Sequence, residues 1–311
     1  MESSAAAPRA GFAERARPFL PWVALALYAV ALGTAIAVRG LPTARDALLL
    51  WIMLGLLAAS LTNVRRWFRG LLRDWLPFML VLFGYDLSRG YADSFLAAHV
   101  EPQLRFDEVL FREVPSVWLQ QHLWDGATAI DWLDYGTWVV YLTHFFGTLT
   151  VGAALWLFAS HLFRRYMAAV CVLAVTGFAT YALFPAAPPW MASRDGHLEH
   201  TERIVRTVSL DVPIDYFGAI WQSGERYAND VAAVPSLHAA YALLIALFLW
   251  PYVSRRWRIL LAAYPVAMAF ALVYSAEHYV SDVLLGWVYA VAALAVVELA
   301  RRREPVRRWI G

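Results

Sequence analysis

Eight apolar runs recur along the chain, at roughly 19–38, 47–63, 75–97, 133–160, 167–184, 236–250, 259–275 and 283–300. A bilayer core takes about 20 mostly apolar residues as a helix. It admits few other structures, because every backbone polar group must be satisfied without water. At 61% hydrophobic residues and a mean hydropathy of +0.51, the chain lies above the roughly 45–50% apolar content of soluble domains. The expected fold is therefore all-α: a polytopic membrane helix bundle of about eight transmembrane helices. The runs at 236–250 and 259–275 are short, so their ends extend or tilt. The first two could instead form a re-entrant or peripheral hairpin. The first run has a basic flank like a signal peptide, but it is long and no small-x-small cleavage pattern follows closely, so it reads as a retained anchor.

Arginine sets the expected orientation. Arg9, Arg15 and Arg17 precede the first run. Arg65, Arg66, Arg69 and Arg73 follow the second, Arg164 and Arg165 the fourth, Arg255, Arg256 and Arg258 the sixth, and Arg301, Arg302, Arg303, Arg307 and Arg308 the last. They mark the same side after every second span, which the positive-inside rule makes cytoplasmic. Both termini are then cytoplasmic. The segment 99–132 on the other side carries Arg105 and Arg112 against Glu101, Asp107, Glu108, Glu113, Asp125 and Asp131. It and segment 185–235 are long connections, the kind that form lids or binding surfaces. An interfacial amphipathic helix is expected near Glu113–Gln121, where Trp118 suits the headgroup level. The basic stretches are ordinary topogenic sequence, and no nucleic-acid partner is expected.

Two absences narrow the chemistry. Cys171 is the single cysteine, so neither an intrachain disulfide nor a cysteine metal cluster can form. All 26 basic residues are arginine, which excludes Schiff-base, P-loop and Ser-x-x-Lys lysines. Together with the abundant Ala, Val and Leu, this points to a GC-rich bacterial genome.

The residues that suggest chemistry lie at the edges of apolar runs. His278 and Asp282 are spaced i,i+4, so on a helix they share a face. A carboxylate there can hold one imidazole nitrogen and leave the other more basic and nucleophilic. Ionisable groups at membrane depth mark functional sites. Pro235-Ser236-Leu237-His238 opens another run on the same side. Proline suits the first turn of a helix, and free amides at a helix start attract anions. Ser236 and His238 are thus placed to meet a phosphate. The bland alternatives are a helix-start aspartate and a capped helix with incidental histidines.

Together the two motifs form a pattern. Pro-Ser-Leu-His followed by His-x-x-x-Asp resembles the type 2 phosphatidic acid phosphatase superfamily. Phe184-Pro-Ala-Ala-Pro-Pro-Trp190, Val234-Pro-Ser-Leu-His-Ala-Ala240 and Glu277-His-Tyr-Val-Ser-Asp282 are similar to the inositol phosphorylceramide synthase branch and its bacterial relatives. The resemblance is good over about 180–290, looser over about 73–150, and does not cover 1–70. It implies a six-helix core, here residues 71–303, with an additional N-terminal hairpin at 19–70. Residues 1–18 and 304–311 are then cytoplasmic tails. It also implies that His278 is a phosphohistidine-forming nucleophile, Asp282 its partner and His238 the general acid. No cofactor and no metal are implied.

The chain departs from the phosphatase pattern at its cations. That pattern has Ser-Arg upstream of the nucleophile, with Arg six positions before it; Ala271 and Leu272 stand here. The lysine of its first motif is missing. Arg89, with Tyr85 in Tyr85-Asp-Leu-Ser-Arg-Gly90, and Arg194 near Pro-Pro-Trp are the candidate phosphate ligands, since arginine holds phosphate oxygens bidentately. An Asp86–Arg89 pair is the plain alternative. His144 reads as a structural or supporting residue; His99, His122, His197 and His200 read as solvated.

The expected function is an extracytoplasmic lipid phosphotransferase. It would move a phosphoryl or phospho-head group from a phospholipid or polyprenyl-phosphate donor to a polyol or sugar acceptor such as inositol. A lipid phosphate phosphatase is the alternative. A zinc site built from the two histidines and Asp282, or a lipid transporter without turnover, are readings of other classes.

Overall fold

The computed structural model describes residues 19–42, 45–89, 97–212 and 230–303. The two terminal tails lie outside them, as do the side chains of 85–89.

Among the described residues the fold is all-helical, and each apolar run is helical over its described part. The first two are α1 (Leu20–Arg39) and α2 (Arg45–Ala59). After α3 (Val64–Gly70), a π-helical turn at Leu71–Trp75 leads without a break into α4 (Leu76–Arg89). Among the described residues, short helices outside the bundle proper are α5 (Glu101–Phe111), α6 (Pro115–Leu123), α9 (Pro189–Arg194) and α10 (Ile204–Asp211). The remaining long elements are α7 (Trp132–Phe158), α8 (Ser160–Leu183), α11 (Leu237–Leu249), α12 (Arg255–Tyr274) and α13 (Val280–Arg301).

Among the described residues, five helices are long and apolar enough to cross a membrane: α1, α7, α8, α12 and α13. The runs at 47–63 and 236–250 form shorter apolar helices, and the run at 75–97 is helical as far as Arg89. The basic stretches expected as inner loops are helical too. Ala159 alone separates α7 from α8, so Arg164 and Arg165 lie on α8.

The centre of the bundle is α8. Phe163, Tyr166, Met167, Val170 and Leu173 recur at helical spacing and are essentially inaccessible. They pack with Leu237, Leu244 and Phe248 of α11 and Ala290, Ala293 and Val297 of α13. The outward faces stay apolar, as with Leu183, Ile259, Val288 and Val291. In lipid such faces supply no force for association, so close packing of small residues must do so. Gly177 of α8 admits Leu237, whose Cδ2 would lie 2.8 Å from an added Cβ. Gly286 of α13 admits the backbone of Ser236 itself. That second contact brings the starts of α11 and α13 together.

One end of the bundle is basic. Arg165 pairs with Glu298 at 2.9 Å and lies over Phe248, and Arg301 meets the same glutamate at 3.1 Å. Arg164 pairs with Asp74. The short helices cover the opposite end. Three connecting segments are laced there by backbone bonds: His99 N–H to Pro185, Ala187 N–H to His99, and Ala186 N–H to Val231. Gln120 of α6 fastens the cap, donating to the carbonyls of Tyr274 (2.7 Å) and Glu202 (2.8 Å).

Candidate active site

The turn after α12 delivers the first histidine. Ala276 adopts φ 56°, a left-handed conformation that costs a residue with a Cβ about 1–2 kcal/mol. The turn is held from both sides. The Leu272 carbonyl accepts the amides of Glu277 (3.0 Å) and His278 (3.2 Å), and the Ala276 carbonyl accepts that of Trp190 (3.0 Å). The chain then enters α13. The Asp282 carboxylate reaches back to the Tyr279 amide at 2.9 Å, the capping-box geometry of an N3 acid. His278 Nδ1 lies 3.4 Å from Asp282 Oδ2, and both side chains are buried. The i,i+4 pair read from the sequence is therefore assembled. At that separation the pair is an ion-pair contact, longer than a usual N–H···O hydrogen bond.

The second histidine arrives on α11. Ser236 is the N-cap of that helix, its Oγ accepting the Ala239 amide at 3.3 Å. Tyr181 donates to the Pro235 carbonyl at 2.7 Å. The Ser236 amide donates to the Asp282 carbonyl at 3.0 Å, joining the two motifs through their backbones. His238 then faces His278 with ring centroids 5.6 Å apart. On its other side lie His144, at 3.8 Å, and Tyr141, stacked at 5.0 Å. His144 is thus a direct neighbour of His238, in line with the supporting role read for it.

An arginine without a sequence signal stands beside this row. Arg203, at the start of α10, donates to Glu277 from Nε (2.6 Å) and Nη2 (3.3 Å) and lies 4.5 Å above the Trp190 ring. Burial works against its charge, but the Glu277 carboxylate more than compensates, so its pKa is raised and the guanidinium stays charged. Glu277 immediately precedes His278, so this cation is bound to the residue that adjoins the candidate nucleophile. The two residues are 74 positions apart, and a loop arginine carries no periodic signal. The one hint in the sequence was a glutamate adjoining His278 at a membrane edge.

The other candidates fare differently. Ser236 is fully buried, and both its amide and hydroxyl are engaged within the protein. It docks and caps here, rather than presenting those groups to a phosphate. Arg194 is exposed, pairs with Asp195 at 2.8 Å and lies over the Trp190 ring at 5.5 Å. The side chains of Arg89 and Tyr85 lie outside the described residues. Among the described residues no group of three or more His, Cys, Asp or Glu side chains is arranged to hold a metal ion.

The profile of the PAP2 superfamily matches residues 109–296, more than half of the 311-residue chain and inclusive of every histidine in the row. The chain belongs to the PAP2 superfamily. It is also similar to a phosphoinositol dihydroceramide synthase of Bacteroides thetaiotaomicron, 36% identical over 133 residues, which cover 40% of this chain and 42% of that protein. The chain thus spans about two fifths of the length of this curated relative. No solved structure matches it.

Within this PAP2 superfamily member, the position where the phosphatase pattern carries an arginine is apolar. Leu272 is fully buried in one apolar cluster with Met268 and Tyr274, where a guanidinium would be desolvated. Its carbonyl still holds the His278 turn.

Proposed function

We propose that this PAP2 superfamily protein is a lipid phosphotransferase that works through a phosphohistidine on His278. The observation that carries the reading is the row His238–His278–Asp282, in which one imidazole is backed by a buried carboxylate and the other stands 5.6 Å from it, ring centroid to ring centroid, on the neighbouring helix. In the first step the second ring nitrogen of His278, Nε2, attacks phosphorus. A P–N bond forms, the P–O bond to the leaving alcohol breaks, and His238 gives that oxygen its proton. In the second step an acceptor hydroxyl loses its proton to His238 and attacks phosphorus, and the P–N bond breaks. Asp282 stabilises the imidazolium character of His278 in both steps. Neither step needs a metal for its balance.

Two observations favour transfer of a head group over hydrolysis of a phosphate monoester. The synthase to which the chain is similar is named for a product in which inositol, phosphate and a long-chain lipid alcohol are joined. The charge around the site points the same way. Asp107, Glu277 and Asp282 are carboxylates close to the histidines, and the Arg203 guanidinium beside them is shared with Glu277. A phosphodiester with one negative charge asks less of such a site than a dianionic monoester does. Arg203 is the cation we assign to the phosphate. Arg194 stands behind Trp190 as a second positive charge, and Arg89 with Tyr85 remains a proposed contact from α4. By the positive-inside rule, the basic bundle end supports an extracytoplasmic position for the histidines.

The test is incubation of the purified protein with isotopically labelled phospholipids and polyprenyl phosphates, with inositol or a long-chain lipid alcohol as acceptor, read by mass spectrometry. A new phosphodiester that disappears in His278→Ala is the expected result, and its identity distinguishes a polyol acceptor from a lipid one. Free phosphate without a new head group would establish the phosphatase. Full turnover by His278→Ala would remove the phosphohistidine.

A further inference from the structure

We propose that Asp107 is a positioning residue for the phosphoryl-transfer step, clamping the first turn of α13 so that His278 and Asp282 hold their place opposite His238. The proposal rests on the reading that His278 is the nucleophile. Asp107 lies on α5, remote in sequence from both motifs and just before the residues matched by the superfamily profile.

Its environment is unusual for a short surface helix. Phe106, Val109 and Leu110 are exposed, with Val109 at 86%, while Gln103 and Asp107, one turn apart, are the buried pair facing inward. An amphipathic helix would put leucines at such positions. A fully buried carboxylate is expensive unless its oxygens are satisfied. Asp107 satisfies both on the catalytic helix: Oδ2 accepts the Val280 amide at 2.9 Å and Oδ1 the Ser281 amide at 3.1 Å. These are the first two amides of α13, which would otherwise have no partner in the helix. With Asp282 on the Tyr279 amide, three successive amides after His278 are bound by two carboxylates. Those amides are thereby taken up by carboxylates, and on this account phosphate binds at the histidines and Arg203 instead. The clamp also ties α5 to the two residues that must stay aligned during attack. A displacement of about 1 Å at such a centre can cost a hundredfold in rate.

The clamp titrates. Burial pushes the Asp107 carboxyl up to about 6, nearby Asp282 adds to the rise, and the two amides oppose it. The groups facing it are Asp282, Tyr279 and Ser281 at the start of α13 and Glu108 on its own helix. Protonation turns one acceptor oxygen into a hydroxyl and releases an amide, so activity falls as pH drops through about 6 on this account. This adds to whatever loss the histidines themselves produce.

The experiment compares Asp107→Asn, Gln103→Leu and His278→Ala with the wild-type protein in transfer assays from pH 5 to 8. Asp107→Asn keeps the shape but sets an NH2 against an amide N–H. Losing one charge-assisted bond predicts a kcat lower by about tenfold or more, with KM changed by less than about threefold. It also predicts a shallower acid limb, because one titrating group is gone. Gln103→Leu, on the same buried face, should leave the acid limb alone. A wild-type kcat and acid limb in Asp107→Asn overturn the proposal, as does a kcat loss with an unchanged limb, which marks a merely structural role. Should Asp107→Asn fail to fold, Asp107→Ser, which can accept one amide, is judged by the same criteria. Turnover surviving in His278→Ala would instead overturn the underlying mechanism.

Discussion

Gly286→Ala is the smallest change that should disable the site without touching a polar group. Gly286 lies one turn beyond Asp282 on α13 and faces the backbone of Ser236. A Cβ there would sit 3.2 Å from the Ser236 carbonyl carbon and 3.4 Å from its nitrogen, with the carbonyl oxygen closer still. Non-bonded atoms prefer about 3.5–4.0 Å. The clash is with backbone, so no rotamer relieves it, and the start of α11 must move away by roughly 1 Å. Three consequences follow. Overpacking of this kind costs about 1–3 kcal/mol. The Ser236–Asp282 backbone bond, now 3.0 Å, stretches past the useful range of about 3.2 Å, which leaves a buried donor and acceptor at a further cost of about 1–3 kcal/mol. His238 also retreats from His278.

The expected outcome is a protein that still inserts and purifies but turns over about a hundredfold more slowly, because 1 Å of misplacement is worth that much. KM for the lipid should move far less. Gly33→Ala on α1, where nothing lies within 4 Å, is the control. Helix propensity alone favours alanine by about 1 kcal/mol at either position, so it cannot account for a loss confined to 286. The assays are head-group transfer by mass spectrometry and thermal unfolding in detergent. A Gly286→Ala protein within threefold of the wild-type kcat would refute the argument that backbone docking of the two motifs sets their geometry.

Two further substitutions probe the surroundings of the histidines. Arg203→Met should raise KM for the lipid phosphate and lower kcat together, leaving Glu277 buried without its partner; the double variant Arg203→Met/Glu277→Gln should recover stability but not turnover, as read by thermal unfolding beside the transfer assay. His144→Phe keeps a ring against His238 but removes a titratable neighbour, so the pH profile of kcat should shift while lipid affinity stays put; an unchanged profile would reduce His144 to packing.

How much of this was legible in the sequence depended on the range of the interaction. The apolar runs located every long helix, because length and hydropathy are local properties. The i,i+4 spacing of His278 and Asp282 was enough to foresee their pairing, again a local fact. The π-helical passage at Leu71–Trp75 and the one-residue junction at Ala159 were not foreseen, since arginines near span ends look like loops whether or not they are helical. Asp107 read as one of six carboxylates in an outer segment. Only the fold turns it inward, and an amphipathic helix with two polar residues on its buried face gives no sign of what they meet. Arg203 and Glu277 are likewise invisible as a pair, because cap loops carry no periodicity. Gly286 looks like any glycine in a spanning helix until the backbone of Ser236 is placed against it.

The bonds that define this site are mostly made by backbone, and the chemistry proposed for it explains why that matters. In the proposed mechanism His238 protonates one oxygen and deprotonates another while His278 carries phosphorus between them, so neither ring can follow its own substrate. The fold holds both from behind: Leu272 and Trp190 fix the turn before His278, Asp107 and Asp282 bind the amides after it, and Ser236 ties the other helix to the same spot. Side chains are thereby left for reaction, and substitution in lipid-facing or acceptor-facing loops can change what is bound without disturbing the distance between the imidazoles. A hydrolase and a transferase built on this frame need differ only in whether the cap over the histidines admits water or excludes it in favour of an alcohol. Gln120, Trp190 and Arg203 join α6, α9 and α10 to the His278 turn, and under the proposed chemistry that cap is where we expect the difference to lie.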